Sequence, residues 1–392
     1  MTPPDPPDRI RYITPTRNPG MPILVHTADV HLGRTFLPLG QAGAVQRLRL
    51  REALSGVCRL ARDRGAEGLL IAGDLFESPR PAQRDEAFVA GELRGLAEEG
   101  IFCAILPGTH DRAAPGSVYL SGRLESAHPL IHVFGSREPW RPPGSDIVIH
   151  CNPQTERRRC ESPLAGLAPD PSARFNIALG HGSLLREGKV DPDDSVFTAE
   201  EIDRCGMDYV ALGHWHNTLR CPTDEVEAWY PGSPEMIATD ETDSGNALVV
   251  ELSKTGAKIE KVRVGRTKAE RIEVDVSACL DGADLEKRIS DGADADTVRN
   301  VRLTGLATEG LFIDAEALEE ACGGGFLHLR VEDRSHAASD ARDDPAGSRT
   351  VLGHFERLMR EVIERGGTEE ETAVAERAMQ YGSALLRGRD VL

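Results

Sequence analysis

Apolar positions along this chain repeat in two registers. Short unbroken runs (Ile23–Leu24, Leu69–Ala72, Ile101–Leu106, Phe175–Gly180, Tyr209–Leu212) predict strands of a buried sheet. Between the early runs the spacing changes to that of a helix. Leu50, Leu54, Val57, Cys58 and Ala61 share one face of a predicted helix over Gln46–Arg64, which Gly65 ends. Phe88, Leu93, Leu96 and Ala97 do the same over Gln83–Glu98, with Gly100 as the stop. Strand, helix, strand, helix, strand implies right-handed crossovers and a mostly parallel layer.

The pattern loosens from Ser117 to Asp170, where Leu130–Phe134 and Ile147–His150 read as short strands and Glu156–Cys160 as a charged tract. Thr198-Ala-Glu-Glu201 has the form of a capping box opening a short helix that Gly206 closes. Trp229–Val264 reads as a turn and then two strands, Ala247–Leu252 and Ala257–Val264, finishing a two-layered sheet core. Gly265–Thr267 is the expected boundary. Beyond it, strands (Arg271–Val276, Val298–Gly305, Phe326–Glu332) alternate with helices (Asp284–Ile289, Asp314–Ala321) in a small α/β cap. Asp333–Ser348 is polar and predicts a flexible linker. Thr350–Glu364 and Glu369–Leu386 predict helices split by Gly366-Gly367, with apolar stripes through Val351, Leu352, Phe355, Leu358, Met359, Val362 and Ile363 and through Ala378, Met379, Ala384, Leu385 and Leu386. The expected layout is a disordered extension (1–20), a catalytic domain (21–265), a cap (266–333), a linker (334–349) and a helical docking segment (350–392).

Composition narrows this little. The 392 residues suffice for two or three domains, with 28% charged and 40% hydrophobic. No apolar run approaches the roughly 20 residues of a membrane span. The Pro- and Arg-rich start lacks the apolar segment of a secretory signal, and Met21 can serve as the natural first residue. The eight cysteines form no Cys-x-x-Cys pair and read as reduced thiols, which predicts a cytoplasmic protein. A net charge of −18 argues against binding nucleic acid by bulk electrostatics but leaves room for a local basic patch.

The chemistry sits where the apolar runs stop. Ile71-Ala-Gly-Asp74 delivers a carboxylate at a strand end, where ligands of open α/β sheets gather. Four other segments repeat the design: Asp29-Val-His31, Gly108-Thr-His-Asp111, His181 and Gly213-His-Trp-His216. One Asp after a strand is ordinarily a turn former or a cap, and one His beside an apolar run ordinarily a packed residue. Five strand ends carrying such groups are better explained as a metal site. Carboxylates with imidazoles suit manganese, iron or zinc, and Asp74 could bridge two ions. His26 reads as a core residue. Arg34, Arg80 and Arg112 lie in the same loops and could contact phosphates.

The order Asp-x-His, Gly-Asp, Gly-x-His-Asp, His, Gly-His-x-His resembles the calcineurin-like metallophosphoesterases. Within them, HTADVHLGR (26–34), AGDLFESPRP (72–81) and YPGSPE (230–235) resemble the SbcD-type DNA repair nuclease subunit, the bacterial counterpart of the nuclease in eukaryotic double-strand-break repair complexes. The resemblance covers Ile23 to Leu252 and implies an α/β/β/α fold: a two-layered mixed sheet flanked by helices. It also implies that Asp29, His31 and His216 hold one metal, that His181 and His214 hold the second, and that Asp74 bridges them. Two such ions, about 3.5–4 Å apart, would activate the water that attacks phosphorus. His110 is the resembling position for the group that protonates the leaving oxygen, and Asp111 for the group that orients His110.

Two positions depart from that pattern. Thr109 stands where the family usually has a metal-binding Asn, so the second ion is expected to bind more weakly. Glu77 stands where SbcD-like nucleases often carry a His linked to exonuclease action, so it bears on selectivity. The expected function is that of a manganese-dependent DNA exonuclease or endonuclease in repair and recombination, a homodimer whose C-terminal helices dock on an SbcC-type coiled-coil ATPase. A phosphoesterase of small nucleotides or cyclic phosphodiesters fits the same motifs, and a non-catalytic scaffold is the third reading.

Overall fold

The computed structural model describes residues 21–156, 161–185, 195–307, 311–337, 350–366 and 368–386. The expected N-terminal extension and nearly all of the charged tract after Glu156 lie outside the described residues, as does 338–349 of the expected linker. The chain divides into two compact units, Met1–Lys268 and Ala269–Leu392.

In the first unit the elements run β1 (Ile23–Thr27), α1 (Ala42–Asp63), β2 (Gly68–Ala72), α2 (Gln83–Glu98), β3 (Phe102–Leu106), β4 (Ile131–Val133), β5 (Ile147–Cys151), β6 (Phe175–His181), β7 (Ser183–Leu184), β8 (Val196–Phe197), α3 (Ala199–Arg204), β9 (Tyr209–Gly213), β10 (Leu219–Arg220), β11 (Ala228–Tyr230), β12 (Asn246–Ser253) and β13 (Gly256–Arg263). They form a six-stranded sheet ordered β13-β12-β1-β2-β3-β4 and a five-stranded sheet ordered β10-β11-β9-β6-β5. β1, β2, β3 and β4 pair in parallel, with Thr27 opposite Ile71 and Ala72 opposite Leu106, while β12 returns antiparallel to β1. In the second sheet β5, β6, β9 and β11 are parallel, with His181 opposite Gly213.

The two sheets face each other through β2 and β3 against β6 and β9. That is why their strands read as unbroken apolar runs: Leu69, Leu70, Ile71, Ile177 and Leu179 are all fully buried. Each such side chain contributes roughly 1.5–3 kcal/mol of transfer free energy. Helix α1 covers β1 and β2 with Leu50, Leu54, Val57 and Cys58, and α2 covers β3 and β4. The outer face of the second sheet is closed by Leu164, Phe197 and Ile202 of loops, β8 and α3. The capping box of α3 forms as its sequence predicts: Glu201 N–H donates to Thr198 Oγ1 at 3.2 Å and Thr198 N–H to Glu201 Oε2 at 2.8 Å. The architecture is the expected two-layered mixed sheet flanked by helices.

The second unit holds β14 (Lys268–Asp275), α4 (Gly282–Ser290), β15 (Thr297–Thr304), β16 (Leu306–Ala307), α5 (Ala315–Gly323), β17 (His328–Asp333), β18 (His336–Ala337), α6 (Val351–Glu364) and α7 (Glu369–Leu386). A sheet ordered β14-β15-β17 packs with α4 and α5 around Val274, Leu285, Ile289, Val301, Leu303 and Phe326. Asp281 caps α4 by accepting from Asp284 N–H, and Asp314 caps α5 by accepting from Glu316 N–H and Ala317 N–H. The start of the expected linker is ordered instead. Arg334 N–H donates to Leu303 O, and His336–Ala337 pairs in parallel with Leu306–Ala307. The register continues from β15 and β17, with only Arg334 and Ser335 between β17 and β18. Helices α6 and α7 pack on each other, with Phe355 of α6 against Gly382 of α7. No residue of α6 is buried, and Val351, Leu358 and Val362 are exposed.

Candidate metal centre

All five expected loops leave the carboxyl ends of β1, β2, β3, β6 and β9, and their side chains meet there. One ligand atom each from Asp29, His31 and His216 lies within 4.8 Å of the others, and the same holds for Asp74, His181 and His214 and for His31, Asp74 and His110. Asp74 and His31 each belong to two of these groups.

The backbone that carries them is strained. Five non-glycine residues among those described have positive φ, and four are Asp29 (54°), His31 (52°), Asp74 (51°) and His214 (108°). Such conformations cost on the order of 1–3 kcal/mol each and persist only where neighbours over-determine them. Here the loops after β1 and β2 are laced together: Asp29 N–H donates to Gly73 O, His31 N–H to Asp74 O and Leu32 N–H to Leu75 O, each at 3.0 Å. The packing is close enough to exclude any side chain at two points. A Cβ on Gly73 would stand 2.1 Å from His181 Nδ1, and one on Gly108 would stand 2.2 Å from Asp74 Oδ1.

The histidines are oriented through their outer nitrogens. His31 Nδ1 is hydrogen-bonded to Glu77 Oε2 at 2.8 Å, and His181 Nδ1 to the Ala72 carbonyl at 2.9 Å. Each ring therefore keeps its Nδ1 proton and turns Nε2 inward. Those two Nε2 atoms are buried and make no hydrogen bond, lying 3.7 Å and 3.3 Å from Asp74 Oδ2. Buried polar atoms without partners are uncommon, and two aimed at one carboxylate fit a cation between them. Burial would lift Asp74, but His181, His31 and His110 hold it below the usual carboxylate range. Burial would likewise depress His181. The Asp74 charge outweighs it, with help from Asp29 and the Ala72 carbonyl, and raises the ring to about 10. The donor set of carboxylates and imidazoles suits two divalent ions.

Other expected residues are placed as follows. Thr109 Oγ1 donates to Asp74 Oδ2 at 3.2 Å, and His110 N–H to Asp74 Oδ1 at 2.8 Å. The His110 ring is exposed at the rim, edge-on to His31 with ring centres 4.7 Å apart. Asp111 does not orient that ring. Its carboxylate is buried, accepting from Phe76 N–H (2.9 Å), Gly108 N–H (2.8 Å) and the Tyr119 hydroxyl (2.5 Å). With both oxygens taken by these donors, Asp111 locks the loop backbone rather than the His110 imidazole. Burial and the Asp74 charge raise Asp111 to about 6 against the pull of its donors. The carboxylate facing His110 is Glu77, with Oε1 at 3.7 Å from Nδ1. Arg34 reaches Glu77 at 3.4 Å. Arg80 is exposed and Arg112 half-buried. His26 is a core residue. It is hydrogen-bonded to the Tyr209 hydroxyl (2.9 Å) and the Leu212 carbonyl (3.1 Å), and burial depresses it to about 3.

Sequence reasoning missed Glu241, a buried loop residue whose Oε1 stands 2.9 Å from His216 Nδ1. It also missed Tyr119, the partner of Asp111. Neither has a spacing signal, since each meets its partner only through the fold. A groove of about 550 Å³ opens beside the centre, lined by His214 to Leu219, Asp240 and Glu241.

Residues 22–218 match the calcineurin-like phosphoesterase family. The chain belongs to that family. It is 28% identical over 291 residues to the DNA double-strand break repair protein Mre11 of Aeropyrum pernix, covering 69% of this chain and 67% of that one. It is 25% identical over 278 residues to the uncharacterized metallophosphoesterase YhaO of Bacillus subtilis, covering 68% and 66%. It is 23% identical over 284 residues to a subunit of the SbcCD nuclease of the same organism, covering 59% and 66%. The chain thus spans about two thirds of the length of these relatives. Calcineurin-like phosphoesterases are hydrolases that bind divalent metals, and the clustered Asp and His groups are this chain's candidate ligands.

Proposed function

We infer that this protein is a manganese-dependent phosphodiesterase acting on DNA, the nuclease subunit of a cytoplasmic SbcCD-like repair and recombination complex. One observation carries the reading: carboxylates and imidazoles from five strand ends converge with two inward nitrogens lacking hydrogen bonds. Asp29, His31 and His216 would hold one ion and His181 and His214 the other, with Asp74 between; such ions polarise a phosphate and activate water. His110, at the rim and within reach of solvent, is the proton donor to the leaving oxygen. Asp111 fixes the turn that carries His110. Arg34, Arg80 and Arg112 are the candidate phosphate contacts, and Arg34 is already engaged by Glu77.

Names among the relatives support DNA as substrate. Exposed Val351, Leu358 and Val362 on α6 and Val374 and Leu385 on α7 support docking of this hairpin on a coiled-coil ATPase, within a complex that contains two copies of this chain. The groove beside the centre supports a second reading, a compact phosphodiester substrate: its lining carries Asp240 and Glu241 and no Lys or Arg.

The deciding experiment is a manganese-dependent assay on end-labelled single- and double-stranded DNA, with Asp74→Ala as control. We expect cleavage that the variant lowers on the order of a thousandfold. Hydrolysis of bis-p-nitrophenyl phosphate with none of any DNA, with or without the ATPase, would transfer the assignment to the second reading.

A further inference from the structure

What stands behind His31 and His216 at one ion position differs from what stands behind His181 at the other. A ligating histidine gives its outer N–H to an acceptor, and a carboxylate there fixes the ring and strengthens it as a donor. In the group of Asp29, His31 and His216, both rings face carboxylates: His31 meets Glu77 at 2.8 Å and His216 meets Glu241 at 2.9 Å. The Glu241 side chain is itself held, its Oε2 accepting from Ile237 N–H at 3.0 Å. Glu77 is held by Arg34 at 3.4 Å. In the group of Asp74, His181 and His214, the outer nitrogen of His181 meets only the neutral Ala72 carbonyl. The residue beside that group is Thr109, whose hydroxyl is already spent on Asp74.

We propose that Glu77 and Glu241 are positioning residues that make the Asp29–His31–His216 position a retentive ion site, while the Asp74–His181–His214 position exchanges its ion freely. The proposal rests on the two-ion reading above. It gives Glu77 a task that does not depend on DNA: it keeps the His31 ring turned and electron-rich. It also divides the centre into a resident ion and one that arrives with changing metal supply.

The test is calorimetric titration of Mn²⁺ into the full chain after removal of metal by a chelator, with metal content measured after dialysis. We expect a tight and a weak class of site, and one ion per chain surviving dialysis. Glu77→Gln and Glu241→Gln should each weaken the tight class by about ten- to a hundredfold and leave the weak class within about threefold. Glu77→Asp, which keeps the charge, should recover part of the loss. Glu77 is on a partly exposed loop, so its variants carry the test even where Glu241→Gln fails to fold. Two classes of equal affinity, unchanged tight binding in Glu77→Gln, or equal weakening of both classes would each overturn the proposal and leave the phosphodiesterase assignment standing. A chain that binds no Mn²⁺ would remove both.

Discussion

The floor and the rim of the metal centre are built differently. On the floor, Asp29, His31, Asp74 and His181 are almost wholly buried, and three of the four sit in left-handed backbone that neighbouring strands hold in place. On the rim, His110 is exposed, and Thr109, His214 and His216 are partly so. Strain and burial are tolerated where geometry must not vary. The rim groups keep contact with solvent, where protons and substrate arrive. The floor therefore fixes the positions of its candidate ligands, and the rim, to which His214 and His216 add two more, stays open to solvent.

The largest effect expected on that division comes from His110→Gln. Loss of a positioned proton donor should lower phosphodiester turnover by about 10²–10⁴-fold. Because the His110 ring is exposed and binds the floor mainly through its backbone N–H, Mn²⁺ affinity should stay within about threefold. Parallel kinetics and calorimetry check this. A matching collapse of metal binding would make His110 a part of the floor.

A pH dependence on the floor comes next. In the metal-free protein the His181 ring is raised to about 10, so it carries a proton at neutral pH. An ion that takes its Nε2 must displace that proton. Apparent affinity at this position should therefore rise by about tenfold per pH unit as pH increases toward 10, and level off above it. Titration in buffers of differing ionisation enthalpy should report at least one proton released per chain at pH 7. Zero release would mean that His181 is neutral before the ion arrives.

The clustered Asp and His residues of floor and rim were legible in the sequence because their rule is local: an apolar run stops, and an Asp or His follows. β1, β2, β3, β6 and β9 all obey it. What acts between loops was not legible. Glu77 and Glu241 meet His31 and His216 across 46 and 25 positions, and nothing in their spacing announces it. Asp111 follows His110 directly, yet its carboxylate turns to Phe76, Gly108 and Tyr119, because a loop residue's direction is set by whichever donors the fold brings up. Helix α1 begins at Ala42 rather than Gln46 for a similar reason. Gly43 and Ala44 add nothing to the apolar stripe, but a Cβ on Gly43 would stand 2.8 Å from the Phe36 carbonyl. That position answers to packing, not periodicity.

The smallest effect expected is at Thr109, where floor and rim touch. Its hydroxyl donates to Asp74 Oδ2 at 3.2 Å and so occupies an oxygen that a second ion would use. A hydroxyl is a neutral, weak donor to a metal, whereas the carbonyl oxygen of an amide is a good one. Thr109→Asn should thus tighten the weaker ion by several-fold and leave the tighter one unchanged, since the side-chain hydrogen bond of residue 109 is to Asp74, beside His181 and His214. The gain should be visible as a lower Mn²⁺ concentration for half-maximal activity, with little change in turnover at saturating metal. Equal affinity in the two proteins would place the cause of any weakness with the neutral backing of His181, and not with the missing amide.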